Sequence, residues 1–160
     1  MSDPLGGGCR CGALRYKVSG EQIAGVICHC KGCQRRTGAS TGVMFVDRHR
    51  TSWTGQHRSY IDPKTTQPIR MLFCESCGST IAALAGSYPD VQIILAASLD
   101  NPQAFVPQLH MWVSEKPHWV NISDALPQFQ RHPDWEKVGG MPDIGRFIPF
   151  DASDMRLTIE

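Results

Sequence analysis

The sequence predicts a mostly β domain, largely antiparallel, on three observations. Short runs of alternating or uniformly apolar residues recur along the chain, fifteen glycines and eleven prolines interrupt them, and no segment keeps a helical period over the length of an ordinary helix. Leu14, Tyr16 and Val18 alternate with Arg15 and Lys17, the period-two pattern of a half-buried strand. Residues 23–28, 42–46, 69–73, 80–84, 91–96 and 109–113 read the same way. Short helical turns are expected at residues 31–36 and 134–137. Beyond Pro133, Gly139-Gly140-Met141-Pro142 is a turn or linker, and residues 143–160 lack a clear period. That tail packs either on the body or on a second copy, as a homodimer would have it. The expected domain is 6–133, with 134–160 as its C-terminal extension.

At 160 residues the chain fits one domain with a core of its own. An apolar fraction of 41% and a charged fraction of 19% exclude charge-driven disorder. The net charge of +1 comes without a long run of either sign, which argues against binding nucleic acid chiefly through phosphates. The N-terminal residues have no basic patch followed by an apolar stretch, so no secretory signal is expected. The most apolar run, residues 91–99, is too short to span a bilayer, and no membrane partner is expected. The expected compartment is the reducing cytoplasm, where clustered thiols more often hold metal than form disulfides.

All seven cysteines fall in three clusters: Cys9 and Cys11, then Cys28, Cys30 and Cys33, then Cys74 and Cys77. Cys74-Glu75-Ser76-Cys77 is a Cys-x-x-Cys turn between two strand-like runs, with Gly78 where a left-handed backbone is often needed. Cys9 and Cys11, flanked by Gly8 and Gly12, are the best partners to complete a closed zinc site of four thiolates. Such a site would close a long loop, where a metal clip stabilises most. Cys28, Cys30 and Cys33 are three compact ligands from one loop and leave one tetrahedral corner free. That corner is open to an exchangeable ligand, or a side chain such as His29 or His110 caps it, or the cluster is a metal-free redox motif. The redox reading needs a thioredoxin-like context that the chain lacks. If Cys28 and Cys30 share an ion, His29 faces the other way.

The chain resembles the glutathione-dependent formaldehyde-activating enzyme family, whose domain also occurs in centromere-associated proteins. The resemblance rests on Gly8-Cys9-Arg10-Cys11-Gly12, on Cys28-His29-Cys30-Lys31-Gly32-Cys33-Gln34-Arg35-Arg36-Thr37-Gly38-Ala39, and on Phe73-Cys74-Glu75-Ser76-Cys77-Gly78-Ser79. A weaker match continues through His110-Met111-Trp112-Val113, Trp119 and Leu126-Pro127-Gln128-Phe129. It implies a zinc-organised β domain of the Mss4-like type with two zinc ions. The structural ion would sit on Cys9, Cys11, Cys74 and Cys77, and the functional one on Cys28, Cys30 and Cys33. It also implies addition of the glutathione thiol to formaldehyde, a reaction filed as a carbon–sulfur lyase after its reverse direction.

For that chemistry an open zinc can hold the substrate sulfur as thiolate or polarise the carbonyl oxygen. Three thiolates already make the centre anionic and favour thiol capture. Arg35 and Arg36 are candidates for the carboxylates of glutathione, with solvated surface charge as the plain alternative. His29 is either a proton shuttle for the hemithioacetal oxygen or a hydrogen-bond partner of a metal-bound sulfur. Thr37-Gly38-Ala39 either lines the substrate or ends a helical turn. His110, Met111, Trp112, Trp53, Trp119 and Trp135 are expected in the core or on a sheet face. The competing function is a non-catalytic zinc module that binds protein or nucleic acid.

Overall fold

The computed structural model describes residues 5–65 and 68–135. Among the described residues, ten strands form two sheets. Strands β1 (Leu5–Gly8), β2 (Arg15–Val18) and β5 (Thr51–Thr54) make a small antiparallel sheet in the order β1-β2-β5. The other seven are β3 (Ala24–Cys28), β4 (Thr41–Asp47), β6 (His57–Ile61), β7 (Ile69–Cys74), β8 (Thr80–Ala85), β9 (Val91–Leu95) and β10 (Leu109–Met111). They run in the order β10-β3-β4-β9-β8-β7-β6. Every pairing is antiparallel except β10 with β3, which is parallel and sets Met111 opposite Cys28.

Strand β4 explains the layering. Met44 and Val46 point to one face of the large sheet and join Leu14, Tyr16 and Val18 of the small sheet in a buried core. Val43 and Phe45 point to the other face and join Ala24, Val26, Leu109 and Met111 in a second core. A strand covered on both sides reads as a continuous apolar run, as Val43-Met44-Phe45-Val46 does. The only α-helix among the described residues, α1 (Lys31–Thr37), follows Cys30 and ends at Gly38, whose N–H donates to Gln34 O. The Thr37-Gly38-Ala39 segment is therefore the helix stop.

The expected strands are all present, within a residue or two at their ends. Three more had no readable pattern. β1 is Leu-Gly-Gly-Gly, and its glycines answer a close approach: a Cβ on Gly7 would lie 2.2 Å from the Tyr16 hydroxyl. β5 and β6 are polar strands, and β6 lies at the sheet edge with no fully buried residue. The turn expected at residues 134–137 lies partly outside the described residues, and Asp134 and Trp135 are not helical. Residues 136–160 of the expected extension lie outside them altogether.

One core expectation is corrected. Trp119 is 75% exposed, because it lies in the turn closed by the Val120 N–H on Pro117 O, where its ring meets His118 edge-on. Trp53 packs beside Tyr16, and Trp135 lies edge-on to Phe45 in the second core.

Candidate metal centres and the cleft between them

The turn after β1 carries Cys9 and Cys11, while β7 ends on Cys74 and the turn that follows it carries Cys77. The four sulfurs all lie within 4.8 Å of one another. Cys9 Sγ is 3.5 Å from Cys11 Sγ, which is 3.8 Å from Cys74 Sγ. A tetrahedral ion at the usual zinc–sulfur length of about 2.3 Å sets neighbouring sulfurs about 3.8 Å apart. The donor set therefore fits such an ion. Gly78 takes φ +71°, the left-handed conformation its turn needs. Cys9 and Cys74 are buried, and Cys11 and Cys77 are exposed. The Leu14 N–H donates to Cys9 Sγ at 3.2 Å, and the Ser79 hydroxyl lies 3.2 Å from Cys77 Sγ.

The second set comes from the end of β3 and the start of α1. The sulfurs of Cys28, Cys30 and Cys33 also lie within 4.8 Å of one another, and no fourth Cys, His, Asp or Glu joins them among the described residues. Cys28 is buried, and Cys30 and Cys33 are half-buried. Cys30 is the N-cap of α1, and its Sγ accepts from the Cys33 N–H at 3.3 Å. A thiolate is the better acceptor there.

Mutual crowding decides the charges in both sets. The neighbouring Cys28 and Cys33 sulfurs hold the Cys30 thiol down at about 2. Cys30 and Cys33, helped by burial, push the Cys28 thiol far above its ordinary range. Cys33 is drawn down by Cys28, but Cys30 and burial leave it at about 11. In the four-sulfur set, Ser79 brings Cys77 down to about 5. The Ala13 backbone lowers Cys11, yet Cys9 and Cys77 leave it raised to about 11. Sulfurs packed this closely cannot all ionise alone, and a divalent cation removes that conflict. Both clusters can hold metal ions, and all-sulfur donors suit zinc.

His29 is buried and does not cap the three-sulfur set. Its Nδ1 lies 2.7 Å from Ser40 Oγ and its Nε2 lies 2.9 Å from His110 Nδ1. The Nε2 of His110 in turn lies 3.0 Å from the Asp124 carboxylate. Burial lowers the His29 pKa, and His110 and Lys116 lower it further. Both ring nitrogens of His29 are thus engaged away from sulfur. His110 is buried, as expected for a residue of β10, but it is part of a polar chain rather than plain core.

Arg35 and Arg36 diverge because successive helical residues point to different sides. Arg35 is exposed. Arg36 forms an ion pair with Asp62, and both side chains are largely buried. Burial would lower the Arg36 pKa, but the charges of Cys33 and Asp62 raise it. Arg36 is therefore already matched by a carboxylate of its own chain.

The loop after β10 holds the cysteine helix in place. Glu115 Oε2 accepts from the Lys31 N–H at 2.6 Å. Gln34 Nε2 donates to the carbonyls of His29 and Glu115. Trp112, just before this loop, has φ +60°, a conformation that costs a bulky residue on the order of 1–3 kcal/mol. A cleft of about 540 Å³ is lined by Cys9, Arg10, Ser79, Arg36, Thr37 and Ser40 among others, and by none of Cys28, Cys30 and Cys33. A cavity of about 640 Å³ over the small sheet, beside the Arg15–Asp100 ion pair, has no cysteine in its lining.

Of the residues singled out from sequence, the structure gathers the seven cysteines into two sets and turns His29 inward. Ser40, His110, Asp124, Asp62 and Glu115 complete the surroundings, and all of them except His110 had no local signal. His110 alone offered a hint, as a polar residue in an apolar strand.

Fold and site together define a β-rich domain built around two cysteine clusters able to bind metal. The profile of the glutathione-dependent formaldehyde-activating enzyme family matches residues 4–115, and the chain belongs to that family. A Halomonas elongata protein with the provisional description of glutathione-dependent formaldehyde-activating enzyme is 26% identical over 127 residues, covering 74% of this chain and 80% of its own. A crystal structure of a Rhodobacter sphaeroides protein aligns with a TM-score of 0.49 at 25% identity, over 61% of this chain and 92% of that one. No helix among the described residues is long and apolar enough to cross a membrane.

Proposed function

We propose that this chain is a zinc-dependent enzyme that adds a small thiol, glutathione in the family's named reaction, to formaldehyde. In reverse it cleaves the carbon–sulfur bond of the S-hydroxymethyl adduct, which is lyase chemistry. The observation that carries this reading is the unequal division of the sulfurs, four in one set and three in a set with no fourth donor among the described residues. Zinc bound by Cys28, Cys30 and Cys33 would supply a vacant position that holds an incoming thiol as thiolate near neutral pH.

The remaining work falls to the chain itself. Cys9, Cys11, Cys74 and Cys77 tie the N-terminal turn to the β7–β8 turn and hold the architecture. Cys30, at the start of α1, and Glu115, on the Lys31 N–H, fix the geometry of the three-sulfur loop. Arg35 is free to meet a glutathione carboxylate, whereas Arg36 is held by Asp62 and faces Cys33. His29 orients a hydroxyl at the edge of the cleft. The domain extends past residue 115 to about 133 in this reading, supported by the Trp112 N–H donating to Arg131 O and the bridge between His110 and Gln128. The cytoplasm belongs to the same reading, since a reducing compartment keeps seven thiols available for metal.

Metal analysis combined with proton NMR exchange of formaldehyde with glutathione tests the proposal. Two zinc ions per chain, one of them labile and perturbed by added thiol, with exchange above the spontaneous rate, is the expected result. Two equally inert ions and no acceleration would favour a non-catalytic interaction module.

A further inference from the structure

We infer that Arg36, aligned by Asp62, is a positioning residue of the three-cysteine centre, whose fixed positive charge lets an already anionic metal site take a further anion, the substrate thiolate. The inference rests on the reading of Cys28, Cys30 and Cys33 as the ligands of the functional zinc.

The helix puts the guanidinium beside the sulfurs. Residues three and four apart on a helix are neighbours, so Arg36 shares a face of α1 with Cys33 and Gly32. A Cβ on Gly32 would lie 3.2 Å from Arg36 Nη2 and 3.4 Å from Nη1, so the whole fork folds back over the cysteine turn. It lies there within hydrogen-bonding reach of the Cys33 sulfur. Asp62 holds it from another side. Asp62 Oδ2 accepts from Arg36 Nη1, and Oδ1 accepts from the Lys64 N–H at 2.9 Å, which anchors the carboxylate in its own turn. The two side chains are only 17% and 11% exposed.

Charge then decides what the centre can accept. A zinc ion with three thiolates is singly negative, and a fourth thiolate makes it doubly negative. The Asp62 carboxylate adds to that crowding. Salt screens it little, because the groups are largely buried. Arginine keeps its proton in a protein and offers five donors in a rigid fork, so Asp62 cannot occupy them all. As an ion pair alone, Arg36 and Asp62 gain little, since desolvating both groups offsets their attraction. An anionic metal centre beside them gives the cation a second partner. A neutral carbonyl oxygen would draw no such benefit, so the arrangement favours thiolate as the fourth ligand.

The experiment uses the full-length zinc-loaded protein. Competition with a chromogenic chelator gives the affinity of the labile zinc in wild type, Asp62→Asn, Arg36→Gln and the double variant. Tm and retention of the four-cysteine ion are the folding controls. Asp62→Asn removes a negative charge and keeps the cation, so it should bind zinc as tightly as wild type or more tightly. The double variant strands no carboxylate and should bind roughly 10–100-fold more weakly than Asp62→Asn. Arg36→Gln leaves Asp62 unpaired near the sulfurs and should be weakest of all. If that variant does not fold, the double variant against Asp62→Asn carries the test. An ion pair that only held the fold would give another order, with wild type tightest and the double variant level with Asp62→Asn. Either of those results would overturn the inference. The second readout is the visible spectrum of cobalt-loaded protein titrated with glutathione. The Kd of the thiol should rise roughly 10-fold from Asp62→Asn to the double variant. An unchanged Kd would remove Arg36 from thiol capture and leave the proposed reaction standing. A wild type that takes up no second ion would remove the three-cysteine zinc site itself, and this role for Arg36 with it.

Discussion

Exchanging one sulfur in each cluster for oxygen should separate architecture from chemistry. Cys74 is fully buried at the end of β7 and lies 63 residues from Cys11, whose sulfur is 3.8 Å away. A cross-link closing a loop of that length removes unfolded-state entropy worth about 4 kcal/mol. Cys74→Ser also leaves a hydroxyl in the first core, at a cost of about 1–3 kcal/mol if it finds no partner. The sum, roughly 5–7 kcal/mol, rivals the whole stability of an ordinary domain, about 5–15 kcal/mol. In a chain of this size it should lower Tm by about 10–28 °C or abolish folding. Cys30→Ser is different. Its cluster spans only a short stretch of chain, so an ion there closes little loop and can bind the unfolded chain almost as well. Serine is also a good N-cap, so the bond from the Cys33 N–H to residue 30 survives. Cys30→Ser should shift Tm by only about 2–4 °C, on the order of 1 kcal/mol, while losing one zinc and the exchange activity. Thermal unfolding followed by circular dichroism, paired with zinc determination, reads both variants. Equal loss of Tm in the two, or a Cys74→Ser protein that melts like wild type, would refute the division of labour.

Three further outcomes follow from the same geometry. A chelator of intermediate affinity should strip one ion from Cys28, Cys30 and Cys33 before the other, with activity lost ahead of any change in the far-ultraviolet spectrum. His110→Phe keeps the volume of a ring but strands the buried His29 Nε2, and should cost about 1–3 kcal/mol, or about 2–12 °C in Tm by calorimetry. Tyr16 is buried, and burial outweighs its bond to Ser98 and pushes its pKa up to about 12. The unfolded chain releases that proton near pH 10, so this contribution is complete below pH 10 and is lost as pH rises from 10 to 12. The loss is about 2–3 kcal/mol, and it should appear as a pH-dependent gap between wild type and Tyr16→Phe in urea unfolding.

The cysteine spacing was enough to divide the sulfurs and to pair the outer clusters, because each Cys turn is a local motif whose neighbours are its own glycines and strands. The apolar runs were enough for seven of the ten strands, β4 above all, since burial on two faces leaves four consecutive apolar residues. β1, β5 and β6 were silent for the opposite reason. A glycine strand is chosen by what it must avoid, here the Tyr16 ring, and an edge strand needs no apolar face.

What the sequence determined by itself is the inventory of clustered sulfur able to hold metal and the family to which the chain belongs. Only the tertiary structure decided what surrounds that sulfur. His29 and His110 are 81 residues apart, and they meet because β10 lies parallel to β3 at the sheet edge. The same contact carries Asp124 to one end of the chain of hydrogen bonds and Ser40 to the other. Arg36 likewise lost its freedom to Asp62, a residue on another strand's end that no local pattern connects to it. Spacing along a chain fixes groups that one turn can bring together, whereas a network of side chains distant in sequence depends on partners that only a folded sheet supplies.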